Sequence, residues 1–225
     1  MSLHAHHAET AEAAASVPSQ SAATVYVVDD EPFVQDVVTA VLRSAGLRAE
    51  SFGTAQAFLE ACRPDEPGCI LLDLRLPDMA GTDLLAELQR RRIRLPVVIV
   101  TGYGDVPTAR DLLKAGAVDF IPKPFDASQL LAAVRTALAV EEESRRRSAE
   151  LADIETRLAR LTKREREVLD LVVDGVPNKG IAGRLGIAER TVEDHRARVM
   201  KKMGTAHLAE LLRMVLSFRA ARSLR

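Results

Sequence analysis

Residues 24–32 read TVYVVDDEP, a short apolar run that ends in two adjacent carboxylates, with an amphipathic segment beginning near Pro32. The same layout recurs along the first half of the chain. LRAESF (47–52), CILLD (69–73), PVVIV (96–100) and VDFI (118–121) are further apolar runs, and amphipathic segments begin near Thr54, Thr82, Val106 and after Asp126. Short runs alternating with helical stretches of roughly 10 to 15 residues indicate βαβ units, hence a parallel sheet covered on both faces. Five such units predict one α/β domain with a doubly wound, five-stranded parallel sheet over residues 24–140. Ligands of such sheets lie beyond the carboxyl ends of the strands, where the strand order reverses, so the residues just after each run matter most.

Those positions carry chemistry. Asp29 and Asp30 follow the first run, Asp73 ends the third, Thr101 follows the fourth and Lys123 the fifth. Taken singly, an Asp after a strand is commonly a helix cap, and Lys-Pro after a strand commonly a turn. Five such residues at matching strand ends form a constellation. Three carboxylates on one crevice repel one another and call for a cation. An all-oxygen set with open positions suits Mg2+, which keeps waters and recruits phosphate oxygens. A carboxylate can accept a phosphoryl group, and the charge that develops would meet the metal, the Lys123 ammonium and the Thr101 hydroxyl.

VVDDEP, LLDLRLPDMAG, VIVTGYGD and KAGAVDFIPKPF together resemble the receiver domain of two-component response regulators. The resemblance implies a flavodoxin-like fold and phosphorylation of Asp73 by a sensor histidine kinase. It further implies Mg2+ held by Asp30, Asp73 and the backbone carbonyl of Arg75, with Asp29 acting largely through water. Thr101 and Phe120 would be the switch pair, the hydroxyl swinging to the phosphoryl oxygen as the ring turns inward. The aromatic here is Phe where the family frequently has Tyr, so no phenol hydrogen bond is available.

From 126 to 161 the chain has neither Gly nor Pro and can continue as one helix. Leu151, Ile154, Leu158 and Leu161 are spaced 3, 4, 3, an a/d stripe over about two heptads. Residues 141–161 are therefore expected to be a helical linker with a short dimerising coiled coil. Beyond it, Thr162 and Glu165 form a T-x-x-E capping box opening a helix to about Asp174. A second short helix runs from Pro177 and Asn178 to Leu185, and a third from about Glu189 to Met203. A fourth bears Leu208, Leu211, Leu212, Val215 and Leu216. Two short helices around a Gly-containing turn, the second rich in Arg and Thr, read as a helix-turn-helix. On the third helix Val192, Val199 and Met203 share one face, and Arg190, Asp194, Ala197 and Lys201 the opposite one, which would enter the major groove.

LTKREREVLDLVVDGVPNKGIAGRLGIAERTVEDHRARVMKKMG resembles the LuxR-type helix-turn-helix, and the whole arrangement resembles the NarL/FixJ family, nearest its FixJ branch. That resemblance implies base-edge approach by Glu193, Asp194 and Ala197, flanked by Arg190 and Arg198. Phosphates would fall to Asn178, Lys179, Thr191, His195, Lys201 and Lys202. A homodimer formed on phosphorylation would read a double-stranded operator with dyad symmetry, with RNA polymerase a further possible partner. The alternative is a regulator of the same build that binds DNA independently of phosphorylation. Ala188 departs from the family, which often places a capping Ser or Thr there.

Charge agrees with this division. The 225 residues carry 31 bases and 32 acids. Residues 24–140 hold 16 acids against 12 bases, and residues 162–225 hold 8 acids against 14 bases, so a net charge of -1 conceals a basic end. Residues 1–23 lack a periodic apolar face and are expected to be disordered; His4, His6 and His7 there have no supporting shell for a metal. The start lacks the pattern of a signal peptide and no run is long enough to span a bilayer, so a cytoplasmic protein with no membrane partner is expected. No D-x-D-x-T motif and no G-x-x-x-x-G-K-[ST] loop occurs, which disfavours a phosphatase or NTPase, and turnover of a free substrate is not expected. Cys62 and Cys69, in apolar contexts, read as buried free thiols.

Overall fold

The computed structural model describes residues 23–102, 113–114 and 116–223, which fall into two compact units dividing between Glu142 and Glu143. The tail histidines and the segment beginning near Val106 lie outside the described residues.

The first unit contains β1 (Thr24–Val28), β2 (Arg48–Phe52), β3 (Gly68–Asp73), β4 (Val97–Thr101) and β5 (Asp119–Pro122). They pair in the order β2-β1-β3-β4-β5, every pairing parallel. The strand order reverses at β1 and β3, because the chain steps from β1 outward to β2 and then back across to β3. α1 (Pro32–Ser44), α2 (Ala55–Ala61) and α3 (Gly81–Arg90) connect the strands, and α4 (Ala127–Ala159) follows the last.

The interiors of the central strands β1, β3 and β4 are apolar because both faces of the sheet are covered. Tyr26, Val28, Ile70, Leu72 and Ile99 pack against Phe58 of α2 and Leu84 and Leu88 of α3. On the opposite face Val25, Val27, Leu71, Val98 and Val100 meet Val38 and Leu42 of α1 and Leu130 and Val134 of α4. Full burial of each such side chain contributes about 1.5–3 kcal/mol. Cys69 is buried in this second layer and Cys62 packs against the first, so the thiols stand on opposite faces and both are free. Burial pushes Cys62 up to about 11, against the nearby Arg63 charge, and burial with the Glu141 charge pushes Cys69 up to about 12.

The strand ends are set by register. Leu72 pairs with Val28, which puts Asp73 level with Asp29; Asp73 pairs with Val100, and Thr101 pairs with Pro122, directly before Lys123. Gly81 lets α3 start hard against the end of β3. A Cβ there would lie 2.8 Å from the Leu74 Cα and 3.0 Å from the Asp73 carbonyl oxygen.

The second unit comprises the chain from Glu143, with α5 (Lys163–Val173), α6 (Asn178–Leu185), α7 (Glu189–Met203) and α8 (Leu208–Ser223). The capping box at the start of α5 is formed, with Thr162 N–H donating to Glu165 Oε2 at 2.8 Å and Glu165 N–H to Thr162 Oγ1 at 3.3 Å. Gly186, at φ 65°, turns the chain out of α6 in the left-handed region that glycine adopts without strain. Val168, Val172, Ile181 and Val192 form the small core between α5, α6 and α7.

The leucine stripe is not a free seam. Ile154 and Leu161 are buried, and with Leu151 and Leu158 they pack against Leu169, Val199, Met203, Leu211, Val215 and Phe218 of the same chain. Ile154 and Leu161 of the expected coiled-coil stripe are thus core residues of this unit, and the half-buried Leu151 and Leu158 pack beside them. Polar ties reinforce the packing. Arg157 Nη1 donates to the Met203 carbonyl at 2.8 Å, Arg166 Nη2 to the Leu158 carbonyl at 2.9 Å, and Lys202 Nζ to the Arg160 carbonyl at 3.2 Å. The stretch expected as a linker is therefore, from Glu143 onward, part of the second unit.

Candidate functional site

At the carboxyl end of the sheet, Asp29 and Asp73 are buried and Asp30 is exposed, and one oxygen from each lies within 4.8 Å of the others. Lys123 closes the group: its Nζ lies 2.7 Å from Asp29 Oδ2 and 2.6 Å from Asp73 Oδ2. Burial works against the ammonium, but hydrogen bonds to both aspartates and their charges outweigh it, and the group titrates above the ordinary lysine range. Glu31 adds a fourth carboxylate 3.5 Å from the same Nζ.

Backbone donors aim the two buried carboxylates. Glu31 N–H reaches Asp29 Oδ1 at 2.9 Å, and Arg75 N–H reaches Asp73 Oδ1 at 3.0 Å. Gln35 of α1 holds the turn after β1 from outside, its Nε2 donating to the Asp29 carbonyl at 2.6 Å. Strand-end spacing marks neither Glu31 nor Gln35. Glu31 follows directly on the DD pair, whereas Gln35 acts through the backbone and leaves no signal in an apolar pattern.

Three aspartates facing one ammonium leave negative charge uncompensated, and an all-oxygen set of this kind fits a hard divalent cation. Thr101 stands half-buried at the end of β4, its hydroxyl donating a long 3.4 Å bond to the Gly102 carbonyl. Phe120 on β5 is 40% exposed, so its ring lies outward.

In the second unit, α7 divides as its wheel requires. Val192, Val199 and Met203 are buried, while Arg190, Glu193, Asp194, Ala197, Arg198 and Lys201 are exposed. Ala188 supplies no side-chain cap at its start. Lys179 is exposed; Thr191 and His195 are half-buried, and the Nδ1 of His195 is buried without a hydrogen-bond partner. Asn178 accepts a hydrogen bond from Arg196, a residue not singled out in sequence.

Lys202 is half-buried, and its Nζ lies 2.6 Å from Glu165 Oε2, an intrachain partner that the exposed Lys201 is not shown to have. The hydrogen bond from Lys202, with that from Thr162 N–H, holds the Glu165 carboxyl below the usual carboxylate range despite burial.

Residues 25–135 match the response regulator receiver domain, and residues 159–215 match the luxR family of bacterial regulatory proteins. The chain is 44% identical over 192 residues to the transcriptional regulatory protein FixJ of Azorhizobium caulinodans, covering 85% of this chain and 91% of that one. It belongs to the NarL/FixJ family of response regulators, near FixJ. Among solved structures, that of the response regulator StyR aligns with a TM-score of 0.77 at 41% identity, covering 87% of this chain and 99% of that one. Full-length FixJ from B. japonicum aligns at 0.55 and 38% identity, over 88% and 98% of the two chains.

As a response regulator the chain joins a receiver to a LuxR-type DNA-binding domain and acts in phosphorylation-dependent two-component regulation. The receiver implies a histidine kinase partner, and the relatives are transcriptional regulators rather than enzymes. Among the described residues no helix is long and apolar enough to cross a membrane.

Proposed function

We propose that this response regulator accepts a phosphoryl group on Asp73 and thereby gains affinity for a dyad-symmetric operator. The observation that carries the reading is the convergence of Asp29, Asp73 and Lys123 within hydrogen-bond reach at the strand-order reversal. A carboxylate oxygen of Asp73 forms the new O–P bond as the bond from phosphorus to the kinase histidine breaks. Lys123 neutralises charge on the transferring oxygens, and the Thr101 hydroxyl rotates from the Gly102 carbonyl to donate to one of them. Asp29, Asp30, Asp73 and the Arg75 backbone carbonyl would hold Mg2+, which when bound supplies a further positive charge to the phosphoryl oxygens. The chain assists only its own phosphorylation and dephosphorylation.

Movement of Thr101 and inward turning of Phe120 reshape the surface around β4 and β5, favouring a homodimer. Arg190, Glu193, Asp194, Ala197 and Arg198 would face base edges; Asn178, Lys179, Thr191, His195 and Lys201 would face phosphates. RNA polymerase would be a further partner, and the DNA-binding role of the luxR-type domain supports a cytoplasmic location.

The test is operator affinity before and after incubation with Mg2+ and acetyl phosphate, on duplexes selected from a random pool. A rise on phosphorylation is expected; equal affinity would favour the regulator that binds DNA constitutively. On random-sequence duplex the logarithm of the binding constant is expected to fall steeply with the logarithm of salt concentration, because phosphate neutralisation releases counterions. A flat slope would remove the basic end as the DNA-binding surface.

A further inference from the structure

We propose that Asp78 is a positioning residue for phosphoryl transfer, tying the loop that carries Asp73 and Arg75 to the first turn of α2. The inference rests on the reading of Asp73 as acceptor and concerns what keeps that acceptor aimed.

The loop from Leu74 to Ala80 is a nearly closed ring. Gly81 N–H donates to the Leu74 carbonyl at 2.9 Å, and Arg75 bridges to Ala80. Within it Arg75 N–H holds Asp73 Oδ1, so any slide of the ring turns the Asp73 carboxylate with it. Leu74, Leu76 and Met79 rest the ring on the apolar layer beneath, which sets its height but resists sliding poorly, since apolar contact is non-directional. The directional tie is Asp78. Its Oδ1 accepts from Ala55 N–H at 3.1 Å and its Oδ2 from Gln56 N–H at 2.9 Å.

The helix does not need Asp78 for its own cap. Thr54 already accepts from Ala57 N–H at 3.1 Å in the ordinary N-cap manner. Asp78 instead takes the two donors that the local cap leaves, from a position 22 and 23 residues away in the chain. The hydrogen bond from Gln56 is foremost in holding its carboxyl below the usual range. α2 is in turn anchored by Ala55, Phe58 and Leu59 in the core beside the ring of Tyr26. The chain of contacts therefore runs from the core through α2 and Asp78 to the loop, and ends at the Asp73 carboxylate and the Arg75 backbone.

Two variants separate positioning from helix stability. Asp78→Ala cuts the tie and spares the cap, whereas Thr54→Ala removes the cap and spares the tie. In the metal-free full-length protein, amide hydrogen exchange at Arg75 and Gly81 is expected to quicken in Asp78→Ala and stay unchanged in Thr54→Ala. With acetyl phosphate as donor, Asp78→Ala is expected to need about tenfold more Mg2+ for half-maximal phosphorylation, the low end for loss of an outer-shell support because the apolar loop contacts remain. The rate at saturating Mg2+ stays within about twofold, and Asp78→Asn, which keeps one acceptor oxygen, falls between. Unchanged exchange and Mg2+ requirement in Asp78→Ala would overturn the inference, as would equal shifts in Thr54→Ala. If the wild type took up no phosphoryl group at all, the reading of Asp73 would fail instead, and the exchange data alone would judge the tie.

Discussion

Asp73→Asn is expected to take up no phosphoryl group from acetyl phosphate or from a histidine kinase, read by intact mass, and to bind DNA equally with and without the donor. The carboxamide has no anionic oxygen to attack phosphorus, while its shape and its carbonyl oxygen still suit the Arg75 N–H. Folding should survive, because the change removes one of three crowded negative charges. A singly phosphorylated Asp73→Asn protein would move the acceptor elsewhere. Lys123→Ala gives the contrasting result. It keeps the nucleophile but removes the charge that faces the transferring oxygens, so uptake is expected to slow by about 10²–10³. It also leaves Asp29 and Asp73 buried against each other, at a cost of about 3 kcal/mol. Added Mg2+ should restore much of that stability, since a dication compensates the same carboxylates; a thermal midpoint insensitive to Mg2+ would count against a cation at this crevice.

The two variants also show which parts of the crevice were legible in sequence. Asp29, Asp73 and Lys123 were found because a parallel sheet buried on both faces writes itself as unbroken apolar runs, and the topology sends the next residue to one edge. Asp78 and Gln35 leave no such mark. Each acts on backbone groups of a neighbouring element, and nothing in spacing or composition marks a side chain whose partner is an N–H or a carbonyl elsewhere in the fold. Lys202 shows a partner of another kind. A cation in the last turn of a helix can face a phosphate or the protein, and its partner Glu165 stands 37 residues away. The exposed and buried faces of α7, by contrast, follow from a 3.6-residue period and agree with the structure.

The stripe Leu151, Ile154, Leu158 and Leu161 yields the second large effect. A 3-4-3 spacing states that one helix face is buried and is silent on what covers it. The covering comes from Leu169, Val199, Met203, Leu211, Val215 and Phe218 of the same chain, so Ile154→Ala is expected to open a cavity in the C-terminal core. The loss should be about 3 kcal/mol, within the range for truncating a buried Ile. Thermal unfolding of the second unit should shift down by roughly 15 °C on the scale for a domain of this size. An interchain seam would make that shift depend on protein concentration, since association is governed by mass action. An intrachain core makes it independent, and phosphoryl uptake by the receiver should be unchanged. Leu216→Ala on the exposed side of α8, where 51% of the leucine faces solvent, is the control and should change stability by no more than about 0.5 kcal/mol. A concentration-dependent midpoint in the wild type that vanished in Ile154→Ala would return the stripe to a dimer interface. The independent midpoint expected here would mean that pairing on phosphorylation uses other surfaces, because Ile154 and Leu161 reach a second copy only by leaving the core they share with α5, α7 and α8.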